Sequence, residues 1–163
     1  MSALSRLLKD LYQGEAELER QLHEVAERHR TEHEVHHVAL DVSRWCRRHR
    51  ELLAHTAPGY GADLPAAESE ETPGPLAALR EKAAEALGRR PEPGLLLLHD
   101  LTELHLAAAR NSLHWEMLAQ AGQAMKEQPL LELASRCHPE TLRQMRWTNT
   151  LVKILSPQVL TST

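Results

Sequence analysis

Apolar residues recur along most of this chain at intervals of three, four and seven, the periodicity of helices with one buried face. Leu4, Leu8, Leu11, Leu18, Leu22 and Val25 make the first such seam over residues 2–28, with Ser2 placed to cap it. A second seam runs through Val35, Val38, Val42, Trp45, Cys46, Leu52 and Leu53, and Thr31-x-x-Glu34 before it has the form of a capping box. The third extends from about Gly94 to Met125 and carries Leu97, Leu98, Leu101, Leu104, Ala108, Trp115, Leu118 and Ala119. The fourth starts near Pro129, at the first-turn position proline favours, and Pro157 stops it near Leu155. Pro139 falls inside it and predicts a kink or a break where the Ser135 carbonyl loses its partner.

Between the second and third seams the chain changes character. Pro58, Gly59, Gly61, Pro65, Pro73 and Gly74 mark residues 56–75 as a connection, and residues 76–88 read as a short helix closed by Gly88 and the breaker at 91–94. A crossover of this length suits two helices that run parallel. The pattern therefore predicts an all-α, up-down bundle of four long helices in a single domain over residues 1–163.

Polar residues interrupt these stripes at a few places. Glu15 lies between Leu11 and Leu18, His49 sits in the second stripe and His105 in the third. A carboxylate on an apolar stripe must find a partner or shift its pKa upward. Residues 29–37 hold four imidazoles in nine positions, and Glu34-x-x-His37 places a carboxylate and an imidazole on one helix face. That pairing is the helix signature of carboxylate-bridged di-metal bundles, and it competes with Glu34 as a capping residue. His33 and His36 could chelate with His29 or His37 at helical spacing, as a surface zinc or nickel site.

Composition narrows the function classes. The 163 residues are 42% hydrophobic, 26% charged and 3% aromatic with no Phe, so the core is built of Leu, Ala and Val, which suits helices. A net charge of −4 and few aromatics argue against nucleic acid as a partner. The run Arg44, Arg47, Arg48 and Arg50 reads as a solvated face. Cys46 and Cys137 form no CxxC pair, no signal-like start is visible and no apolar run approaches membrane length, which points to the cytoplasm. Gly-rich phosphate loops, G-x-S-x-G and H-E-x-x-H are absent, so an enzyme is not indicated. Eleven histidines keep acid sensing among the readings.

The segment Leu8-Lys9-Asp10-Leu11-Tyr12-Gln13-Gly14-Glu15-Ala16-Glu17-Leu18 resembles the opening motif of a bacterial stress-associated ferritin-like family, L-x-D-L-Y-x-x-E-x-x-L. Glu34-x-x-His37 is similar to the same family's second-helix pair. The resemblance implies a ferritin-like four-helix bundle in metal handling or stress response. It implies iron or manganese held between the helices by Glu15, Glu34, His37 and His105, the last aligning where the family has a helix-three Glu. On helix four, Glu140-Thr141-Leu142 resembles the family, but Arg143, Gln144 and Met145 stand where its acidic residues are expected. Arg or Met cannot replace a bridging carboxylate. The alternative is a bundle that keeps the fold without the metal, as an interaction or assembly module that forms a homo-oligomer or binds a protein partner. Its signature would be a polar cluster left in the core and an exposed apolar patch outside. A histidine-based pH-responsive module is the third reading.

Overall fold

A computed structural model describes residues 1–67 and 92–162, and within them the chain is helical with short connections. Helix α1 spans Ala3–Arg28, α2 His33–Thr56, α3 Pro93–Met125 and α4 Gln128–Thr161, with a 3₁₀ turn at Ala57–Tyr60 after α2. The short helix expected at 76–88 lies outside the described residues. Among the described residues, no helix is long and apolar enough to cross a membrane.

The caps follow local chemistry. Ser2 accepts a hydrogen bond from the Ser5 backbone N–H at 3.0 Å and so starts α1 as expected. The capping box at Thr31 does not form: α2 begins one turn position later, with Glu32 at its N-cap making no side-chain cap bond. Helix α3 ends on Lys126 in the left-handed region (φ 57°), whose N–H returns to the Gly122 and Gln123 carbonyls before α4 begins. Helix α4 runs unbroken through Pro139 and on past Pro157. Both prolines, and Ser135 and Lys153 whose carbonyls they release, are exposed, so water can take up the missing bonds.

Specific contacts fix the order of the helices. His23 and Ser43 meet at 3.0 Å, and His36 Nδ1–H donates to the Ala26 carbonyl at 2.7 Å, so α1 and α2 run antiparallel. Arg28 and His29 both bond to Asp100, at 2.9 and 2.7 Å, tying the end of α1 to the start of α3. His105 meets Thr148 at 2.8 Å and Ser112 meets His138 at 2.9 Å, pairing α3 with α4. Gln144 donates to the Val42 carbonyl at 3.0 Å, which pairs α2 with α4. Every neighbouring pair is therefore antiparallel, and α2 and α3 run parallel, as the long crossover requires. Arg50 departs from the solvated face expected of it. It is buried, ion-paired to Glu19 and stacked over the Tyr12 ring at 5.7 Å.

The apolar core is in two blocks. One holds Leu18, Leu22, Val25, Val35, Ala39, Leu101 and Leu104, and the other Leu8, Leu11, Leu53, Trp115, Leu118 and Leu130. Between them each helix turns a buried polar residue inward: Glu15 from α1, His49 from α2, Asn111 and Ser112 from α3, Thr141 and Gln144 from α4. Gly14 lets α3 approach α1 in this layer, since a Cβ there would lie 2.2 Å from Asn111 Oδ1. Asn111 is itself buried, and among the described residues neither of its amide atoms has a hydrogen-bond partner.

Gly14→Ala should therefore change sign with the residue at 111. With Asn111 present, overpacking should destabilise the bundle by about 1–3 kcal/mol. With Asn111→Ala the space opens, and the helix-propensity gain of up to about 1 kcal/mol remains. Urea unfolding of the four proteins reads both values. A destabilising Gly14→Ala in both backgrounds would place the obstruction elsewhere.

Candidate functional site

The polar layer is built where apolar periodicity fails on all four helices at one height. Glu15 and His49 are both fully buried. His49 Nδ1 lies 3.1 Å from Glu15 Oε1 and its Nε2 lies 3.1 Å from Glu140 Oε1. The Trp115 indole N–H donates to the same Glu15 oxygen at 2.9 Å, and its ring stands edge-on to His49 with centroids 5.8 Å apart. The other oxygen of Glu140 pairs with the Arg48 guanidinium at the surface. Among the described residues, Glu15 Oε2 is buried without a hydrogen bond of ordinary geometry, and the Cys46 thiol is the further group that bears on this carboxyl.

Proton counting bears on the charge state. A neutral imidazole has one N–H to give, and only imidazolium has two. His49 faces a carboxyl oxygen at each nitrogen, and it donates to both when it is imidazolium. Burial works against that form. The hydrogen bond and charge of Glu15, followed by those of Glu140, outweigh it and hold the His49 pKa above its ordinary 6.5. Arg48 brings a second cationic group to Glu140 from the surface.

The cysteines border this layer. Gln144 Nε2 donates to Cys46 Sγ at 3.3 Å. Burial first, and the negative charge of Glu15 second, push the Cys46 thiol well up, and Cys137 is raised for the same reasons in the same order. Both stay protonated near neutrality and are neither nucleophiles nor thiolate ligands there.

The four residues singled out for metal do not meet. Glu15 is in the layer. Glu34 and His37 are exposed in the first turns of α2, beside the end of α1, and His37 is about 18 Å along the helix from His49 at 1.5 Å per residue. The cause is the hairpin register: antiparallel pairing sets Glu15 opposite His49 and leaves Glu34-x-x-His37 near Ala26. His105 is half-buried on Thr148, nearer the start of α3 than Trp115 by almost three turns. These four therefore form no common donor set, and among the described residues no three His, Cys, Asp or Glu side chains are grouped to hold a metal ion. His49 and Glu140 carry the cluster instead. His49 was visible as a polar break in a stripe, and Glu140 as part of Glu140-Thr141-Leu142 on the fourth helix, but spacing alone gave no sign that the two meet. Arg143 and Arg146 are exposed and take no part. No protein-family model, curated protein or solved structure matches the chain.

His49→Leu should leave Glu15 buried without its counter-charge and cost about 3–5 kcal/mol, part of which Glu15→Gln should restore. The pH signature has a definite sign. With the folded pKa above the unfolded one, the contribution of His49 is complete below about pH 6.5 and is lost as pH rises through the folded value. Urea midpoints of wild type and His49→Leu should therefore converge on the alkaline side. A gap that stays constant from about pH 6 to 9 would show that His49 is neutral in the fold.

Proposed function

We propose that this chain is a four-helix interaction and assembly module, working as a homo-oligomer, whose core is balanced by its own imidazolium rather than by a bound metal. The observation that carries the reading is the outer face of α3. Leu106, Leu113 and Met117, spaced by seven and four and so aligned on one face, are 57, 58 and 53% exposed. The inward face of the same helix holds Leu97, Leu101, Leu104, Ala108, Trp115 and Leu118. A helix with large apolar side chains on its outer as well as its inner face is suited to burial on both, and Arg110, exposed between Leu106 and Leu113, adds a polar contact to such an association surface. The polar layer supports the other half. His49 occupies the space between two carboxylates with protein hydrogen bonds, so no open carboxylate pair faces a common ion.

A ferritin-like role in iron or manganese handling is the second reading. One observation favours it: the buried Glu15 oxygen that lacks a hydrogen bond of ordinary geometry among the described residues, on the helix whose motif resembles that family. The two readings differ in what they require of the same sample.

Light scattering after size exclusion should give an oligomer at tens of micromolar chain. The pair Leu106→Glu and Leu113→Glu should convert it to a folded monomer, with unchanged circular dichroism. A wild type that is monomeric at about 100 µM, where even weak self-association with a micromolar Kd would appear, would end the assembly reading. Elemental analysis of the same untagged protein addresses the alternative. One or two equivalents of iron or manganese, lost in Glu15→Ala, would replace the metal-independent reading with the ferritin-like one.

A further inference from the structure

We propose that His33 and His37 form a surface site for one divalent ion of the zinc, nickel and copper class. Both are exposed in the first turns of α2, and their i, i+4 spacing is the one by which a helix brings two imidazoles to one ion. The rings are nearly parallel, 13° between planes, with centroids 6.5 Å apart. That gap is wider than ring-to-ring contact. To bind one ion, each ring must turn so that a nitrogen, whose lone pair lies in the ring plane, points into the space between them at about 2.0–2.1 Å from the metal, and exposed side chains one helical turn apart can make that turn.

A second observation concerns the residue between them. His36 Nδ1–H donates to the Ala26 carbonyl at 2.7 Å, which fixes its tautomer and orientation. Its ring stands edge-on to His37, with centroids 5.1 Å apart and 75° between planes. His37 thus leans on a ring anchored to α1, and a ligand held in place beforehand loses less freedom when it binds. Glu32 and Glu34, exposed on either side, oppose the positive end of the helix dipole that would otherwise repel a cation. A nitrogen donor pair selects the zinc, nickel and copper class over magnesium and calcium, with water completing the coordination. The ion would also bridge the first two turns of a helix that starts without a side-chain cap. This site lies more than three turns of α2 from His49 and is independent of the polar layer.

Calorimetric titration of the untagged full chain with zinc chloride, repeated with nickel chloride, tests it. One ion should bind this pair, and His33→Ala or His37→Ala should each weaken that event at least tenfold, about 1.4 kcal/mol. The double variant should bind no worse than either single one, because a chelate is lost with its first ligand. His55→Ala, at an exposed imidazole elsewhere on α2, should leave binding unchanged, and magnesium should not bind. Losses that add in the double variant, or tight binding that survives both single changes, would mean that the histidines act separately and would overturn the site. The substituted side chains are exposed, so circular dichroism should be that of wild type.

Discussion

The imidazole of His49 meets all three other helices, through Glu15 on α1, Glu140 on α4 and the Trp115 ring on α3. Its double N–H donation is possible only as a cation, and two carboxylates make that cation tolerable in a buried layer. Remove the proton and one carboxylate loses its imidazole donor; remove the imidazole and Glu15 keeps the Trp115 N–H but loses its counter-charge. The neighbouring features follow from this constraint. Trp115 donates to the same oxygen because a buried carboxylate needs more than one donor, and the nearby thiols stay protonated because they are buried and lie beside Glu15.

Helix α3 has a different problem. Its inward residues serve the core, while Leu106, Leu113 and Met117 face outward at a level of exposure that isolated surface leucines need no reason for but an aligned row does. The opposite end of the bundle, where α2 begins beside the end of α1, is polar and rich in imidazoles. The molecule thus offers one apolar face and one nitrogen-rich end, with a sealed polar layer between its two core blocks. That separation of surfaces is what a connecting or assembling component needs, and it leaves the interior to stability.

Much of the architecture was legible in the spacing of apolar residues. The seams of α1 and α2, the Ser2 cap, the end of α3 at Met125 and the parallel relation of α2 and α3 all follow from periodicity, capping and crossover length. Pro157 does not stop α4, which continues to Thr161, and Pro139 does not break it; both prolines, and the residues whose carbonyls they release, are exposed, so water can take up the missing bonds. The candidate site was half visible. Glu15 and His49 stood out as polar breaks, yet the Glu34-x-x-His37 spacing drew attention to the other end of α2. Spacing within one helix fixes a face and says nothing of height against the neighbouring helix. That height depends on the turn at residues 29–32 and on contacts such as His36 with Ala26, which have no periodic signature.

The division of the core into two apolar blocks has a mechanical consequence. Leucine-rich interfaces are nearly self-similar from one turn to the next, so antiparallel helices packed by leucine alone can slide by a turn, about 5.4 Å, with little change in buried area. Here such a slip would carry Glu15 past His49 to face aliphatic side chains, and Gly14 past Asn111. The polar layer therefore acts as a detent: it adds little attraction along the helix axes but makes every other alignment expensive. In a core built mostly of leucine and alanine, with Trp115 as its one fully buried aromatic ring among the described residues, charge helps to set the register.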